Sequence, residues 1–153
     1  MRKAANQGYA VAQNYLGSLL ETKKEYKAAI KYYVLVANQN DVQACTNLGY
    51  LYQQGTGVKK DADEAIKWTK KAADLGYSVA QNNVGYLFEM KKEYKEALKY
   101  YTLAANQGEA FACNNLGYLY QQGIGAEKDE KLSKEWFEKG QKEFKEWKKA
   151  RGI

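Results

Sequence analysis

The chain of 153 residues has no proline and no histidine. Without proline, nothing removes a backbone donor from a helix interior, so an unbroken helical array is open to it. Without histidine, the commonest general base and metal ligand is missing, and every histidine-dependent triad is excluded. Only two cysteines are present, so no cysteine set can close a four-ligand zinc site. No apolar run approaches the roughly 18 residues that a membrane-spanning helix needs. The first residues, MRKAANQGYAVAQN, are too polar for a secretory leader.

What is abundant is tyrosine, with 14, set among closely mixed lysine and glutamate. The net charge is +6. Opposite charges interrupt every basic run, so no cationic stripe of the kind nucleic acid requires can be drawn. Mixed charge of this sort keeps surfaces soluble, and an acidic partner is the sharper alternative.

The chain also repeats itself. Residues 4–54 align on residues 72–122 at a step of 68, with 34 identities in 51 positions. KKEYK recurs at 23–27 and 91–95, and NLGYLYQQG at 47–55 and 115–123. A unit of this length cannot bury its apolar face alone and must stack on its neighbours. The period therefore predicts an all-α solenoid, and a binding scaffold before an enzyme.

Gly17, Gly49, Gly85 and Gly117 occupy matching places, spaced 32, 36 and 32 apart. Each long repeat thus holds two unequal helix pairs. The first helices are expected near 9–21, 41–54, 78–90 and 109–122. The second helices are expected near 24–39, 61–75, 92–107 and 130–149. The four glycines should allow close helix contact within each pair, since a mid-helix glycine costs about 1 kcal/mol against alanine and recurs here four times. Gly8, Gly76 and Gly108, with Asn40 in the matching place, are expected to end helices in the left-handed conformation. Asp61 and Asp129 are expected caps. The GTG and GIG segments at 55–57 and 123–125 read as turns, because no strand precedes them to make a phosphate loop. The segment 3–8 matches 71–76, the end of a helix, so the chain is expected to begin in mid-repeat and the natural protein to continue upstream.

These residues resemble the Sel1-like repeats, relatives of the tetratricopeptide repeats. AxxGYSVAQNNVGYLF at 73–88 looks like the junction between Sel1-like units, and LGYLYQQGTGVKKDADEAIKWTKKAADLG at 48–76 looks like nearly a whole unit. KEYKAAIKYY and KEYKEALKYY look more like tetratricopeptide helices. The resemblance covers almost the whole chain. It implies a right-handed superhelix of about four antiparallel helix pairs, with units near 9–40, 41–77, 78–108 and 109–139 and a capping extension at 140–151. It also implies a non-enzymatic adaptor whose partner is another protein or peptide, with no cofactor.

Cys45 and Cys113 are equivalent positions in successive copies. A cysteine-rich branch of the family bridges residues eight apart, but here the partners would be Ala37 and Ala105. Two buried reduced thiols are therefore expected, which favours a reducing compartment.

In tetratricopeptide-like arrays the first helices line a concave groove. Offsets from the recurring glycine then select Thr46, Asn47, Tyr50 and Gln53 in the second unit. They select Asn82, Asn83, Tyr86 and Glu89 in the third, and Asn114, Asn115, Tyr118 and Gln121 in the fourth. The first unit gives Asn14, Tyr15, Ser18 and Glu21. Asparagine both donates and accepts, so it can pair with an extended backbone, and tyrosine adds apolar area with a polar end. The alternative is that these residues bond neighbouring helices and fill the interior. None of these positions is lysine or arginine, which weakens the case for a carboxylate clamp.

In the last helix Leu132, Trp136, Phe137, Phe144 and Trp147 share a side. Trp136 matches Trp68 and is expected in the core. Phe144 and Trp147 either cover the open end or form a partner patch. Gly140 in place of Ala72 gives this helix a point where it can bend. Seven acidic residues within 127–146 speak against a membrane-surface helix.

A hydrolase related to the cysteine-rich relatives is the remote alternative, and it lacks support because no serine is followed at the third step by lysine. A self-associating repeat array is the nearer alternative.

Overall fold

The computed structural model describes residues 2–153, with side chains from Gly8 onward. Among the described residues there are eight α-helices and no strand. They are α1 (Arg2–Thr22), α2 (Tyr26–Ala37), α3 (Val42–Gln54), α4 (Ala62–Asp74), α5 (Ser78–Met90), α6 (Tyr94–Asn106), α7 (Ala110–Gln122) and α8 (Glu130–Ala150). The chain divides into two compact units, Met1–Leu75 with α1–α4 and Gly76–Ile153 with α5–α8.

Within each unit consecutive helices form antiparallel pairs. In the second unit Gln81 meets Gln107 near one end of the α5–α6 pair, and Glu89 meets Tyr101 near the other. The glycines explain how close these pairs come. A Cβ on Gly17 would lie 2.7 Å from the Tyr33 ring, one on Gly85 2.7 Å from Tyr101, and one on Gly117 2.9 Å from Phe137. On Gly49 it would run into the Thr69 hydroxyl. Each first helix therefore approaches its mate at a point where no other residue fits.

Turn and cap chemistry follows the sequence at most places. Asn40, Gly76 and Gly108 have φ of 63°, 93° and 84°. The Asp61 carboxylate accepts from the Asp63 and Glu64 N–H groups, and Asp129 from Leu132 N–H. Asp41 does the same for Ala44 and also accepts from the Asn14 amide at 2.7 Å. The glycine loops are turns laid against the preceding second helix: Gly57 packs on Tyr26, and Gly125 on Tyr94 and Leu98.

Three expectations are corrected. Gly8 does not end a helix but lies inside α1. Glycine permits both conformations, and at Gly108 the choice is made by α7 packing back on α6. α2 and α6 begin at Tyr26 and Tyr94, so the KKE run is a turn. Lys24 and Lys92 take φ of 61° and 62°, and the next N–H reaches back to Leu20 and Phe88 carbonyls, closing the preceding helix. α8 continues through Gly140. A Cβ there would come within 2.6 Å of Asn114 Oδ1 and 3.1 Å of the Cys113 Cβ, so its smallness serves close packing. Trp136 is half-buried, unlike the buried Trp68. Glu64 accepts from the Trp68 indole N–H at 3.1 Å, and the matching residue in α8 is Leu132, which offers no acceptor.

Both cysteines are free and buried. Cys45 lies 3.8 Å from the Ala37 carbonyl oxygen and Cys113 3.9 Å from that of Ala105. Burial pushes both thiols above their usual range, which lowers the reactive thiolate fraction at neutral pH.

Candidate partner-binding face

The first helices carry the residues of interest, and their burial sorts them. Tyr50, Tyr86 and Tyr118 each follow a mid-helix glycine by one position and are 57%, 47% and 48% exposed. Their place beside that glycine is the cause. The glycine points at the mate helix, so the next side chain turns some 100° away from it. Asn83 and Asn114 are also exposed.

Several of the remaining residues bond within the fold. In the second unit Asn115 Nδ2 donates to Asn82 Oδ1 at 3.1 Å, which ties α7 to α5 edge to edge. Tyr101 O–H donates to Glu89 at 2.7 Å, and the same pairing recurs between Tyr33 and Glu21 at 3.0 Å. Burial, then the Glu21 hydrogen bond and charge, push the Tyr33 hydroxyl up to about 12, and the same causes push Tyr101 up through Glu89. In the first unit Asn47 accepts from Gln43, and Thr46 bonds back to the Val42 carbonyl within α3. Gln53 is half-buried. Asn14 is held by Asp41, while Tyr15 and Ser18 are exposed.

Asn114 and Gln121 lie on the flank of α7 turned to α8. Asn114 sits against Gly140, and Gln121 lines a cavity of about 740 Å3 with Ser133, Lys134 and Phe137. They are not brought together with Asn115. The Ser133 hydroxyl donates to the Gly117 carbonyl at 2.7 Å, a buried bond that the sequence reading did not find. On α8, Phe144 and Trp147 stack with ring centroids 5.8 Å apart, both remain exposed, and Arg151 lies 4.3 Å over Trp147. Among the described residues no group of three potential ligands converges as a metal site would require, and no helix is long and apolar enough to cross a membrane.

The recurring signal that the sequence offered and the reading missed is paired substitution. Glu21 with Tyr33, and Glu89 with Tyr101, recur together at the step of 68. In the other two pairs both members change, to Gln53 with Thr69 and Gln121 with Phe137. The two tyrosine–glutamate pairs that recur are the two that meet in the structure.

Comparison with known proteins agrees with this architecture. Residues 9–41, 42–77, 78–109 and 110–140 match the Sel1 repeat model. A stretch of 93 residues is 34% identical to rat (Rattus norvegicus) DAP3-binding cell death enhancer 1, covering 60% of this chain and 18% of that protein. Among solved structures, c5321, a protective antigen present in uropathogenic Escherichia coli strains and displaying an SLR fold, superposes with a TM-score of 0.81 at 35% identity. That match covers 92% of this chain and 32% of the other. A Sel1 repeat protein from Oxalobacter formigenes gives 0.80 at 35% identity, over 88% of this chain and 58% of the other. The chain thus spans a minor part of the rat protein and of the Escherichia coli antigen. Proteins of this kind are in general scaffolds that bind other proteins and are typically not enzymes. With its repeats matched along most of its length, the chain belongs to the Sel1 repeat family.

Proposed function

We propose that the first-helix face of each unit holds an extended segment of a partner protein, with Tyr50 as the anchor in one unit and Tyr86 and Tyr118 in the other. The observation that carries this reading is the recurrence of a half-exposed tyrosine at one helix position while Tyr33 and Tyr101 are fully buried. An exposed ring held on a rigid helix loses little rotamer freedom on binding, which is why such residues act as anchors. Asn83 supplies an amide beside Tyr86. Asn82 and Asn115 serve this reading indirectly, by fixing α5 against α7 so that Tyr86 and Tyr118 keep their separation. Thr46, Asn47, Gln53 and Glu89 support the face from below. Asn114 and Gln121 border it, and Phe144 with Trp147 form a separate exposed patch on α8.

The test begins with peptides selected from a random display library on the immobilised chain. The triple variant Tyr50→Ala, Tyr86→Ala, Tyr118→Ala should bind the selected peptides at least tenfold more weakly, a loss of about 1.4 kcal/mol or more, with its thermal midpoint little changed. Equal affinity in the folded triple variant would remove the reading.

A further inference from the structure

The geometry points to a second docking surface, on the C-terminal turns of α8, for an acidic segment that carries an apolar side chain. It is separate from the tyrosine face proposed above. From Gln141 to Ala150 every residue of α8 is exposed except Glu143, which is half-buried beside Gly108. No core therefore calls for rings on this stretch, yet Phe144 and Trp147 stand there 44% and 45% exposed. Their planes lie within 8° of parallel, with centroids 5.8 Å apart. Lys148 Nζ sits 5.3 Å over Phe144, and the Arg151 guanidinium 4.3 Å over Trp147. The four positions are three and four residues apart, so they form one stripe down the helix.

Charge separates at the same place. Residues 76–141 hold eight lysines against nine acidic residues, whereas residues 142–151 hold four lysines and an arginine against two glutamates. The ion pairs of the second unit, such as Lys128 with Glu130 and Lys134 with Glu138, lie upstream. Among the described residues none of Lys142, Lys145, Lys148, Lys149 and Arg151 pairs with a carboxylate. Neither glutamate of the segment sits on the stripe. Glu143 lies against Gly108, and Glu146, two residues past Phe144, falls some 200° round the helix. Cations in the last turn also suit a helix C-terminus, but that role needs no rings.

The stripe selects its occupant. A guanidinium laid on an indole has already given up rotamer freedom, and its in-plane N–H donors remain for a carboxylate. One of them reaches the Trp147 carbonyl at 3.4 Å, which fixes the fork further. Each ring has the other ring and a cation against it, so the pair offers edges rather than the open faces on which a nucleobase stacks. Two rings are also too short an apolar face for a bilayer surface, which takes a face several turns long. What fits is one carboxylate on Arg151, a second on Lys145 or Lys148, and an aliphatic side chain between them on the ring edges. The opposite charges steer encounter and fix register, while the apolar contact supplies affinity.

The probe is a short synthetic peptide with a leucine pair set among aspartates, titrated into the full chain. Binding is read by calorimetry and by the indole N–H resonance of Trp147. The peptide should move that resonance and bind about tenfold more tightly, or better, than its asparagine-for-aspartate or serine-for-leucine counterpart. Arg151→Gln and Trp147→Ser should each weaken it about tenfold, the effect of losing one anchor. Added salt should weaken it as well. Both substitutions fall on exposed positions, so an unchanged thermal midpoint checks that the fold is kept. A Trp147 resonance that stays in place, or equal affinity for the asparagine counterpart, would overturn the inference. So would a loss confined to the triple tyrosine variant, which would place the peptide on the other face. Movement of Trp147 by phosphatidylserine vesicles or a single-stranded oligonucleotide, and not by the peptide, would overturn it too. A parent chain that dimerises in light scattering and becomes monomeric with Trp147→Ser would give the surface to a second copy instead.

Discussion

At the scale of single residues the four mid-helix glycines make the sharpest statement. In an uncrowded helix, glycine to alanine is a gain of about 1 kcal/mol. At Gly85 the added methyl carbon would sit 2.7 Å from the Tyr101 ring, so the sign reverses. Gly85→Ala is expected to lower stability by about 1–3 kcal/mol, the range for overpacking, read as a shift of the urea midpoint at constant slope. The tyrosine–glutamate pairs make a second statement. Tyr33 is raised to about 12 in the folded chain by burial and by Glu21, against about 10 when unfolded. A raised value favours the protonated hydroxyl, so its contribution is complete below pH 10 and is lost as pH rises through 12. The stability difference between the parent and Tyr33→Phe should therefore shrink between those two values. Equal slopes for both chains in that window would contradict the assignment. The glycines were legible because they recur in register. The hydroxyl bonds beneath them were not read, because spacing along a chain does not say which two side chains meet.

At the scale of elements, helix ends follow local chemistry. Asp129→Ala removes the only side-chain cap on α8 and should cost about 1 kcal/mol. Asp41→Ala should cost more, because it also strands the Asn14 amide. The left-handed lysines give a test of opposite sign. Lys92 holds φ at 62°, where a side chain is strained by about 1 kcal/mol or more and glycine is not. Lys92→Gly is thus expected to stabilise the chain by up to about 1 kcal/mol, measured in the same urea titration. A destabilised Lys92→Gly chain would mean that the KKE turn is not left-handed. Helix existence and the aspartate caps were legible, since both depend on a few adjacent residues. The KKE turns were not, because lysine carries no signal for positive φ. That conformation is imposed by α6 folding back onto α5. Trp136 was misplaced for a related reason. Sequence equivalence carries the ring over from Trp68, but the Glu64 acceptor that fixes it is replaced by Leu132.

At the scale of the whole chain, the repeat fold was legible because a period in sequence must become a period in packing. The SLR neighbours share that fold over 92% and 88% of this chain. The candidate binding face was legible only as a set of offsets. Tyr50, Tyr86 and Tyr118 are free to meet a partner, whereas Asn82, Asn115 and Glu89 bond within their own unit. A helical offset gives the direction of a side chain but not whether a neighbouring helix already uses it. The most direct measurement is an NMR titration of ring-labelled tyrosine with a library-selected peptide. The account predicts shifts at Tyr50, Tyr86 and Tyr118 and none at the buried Tyr33 and Tyr101. Saturable binding that leaves those three rings unmoved would contradict it.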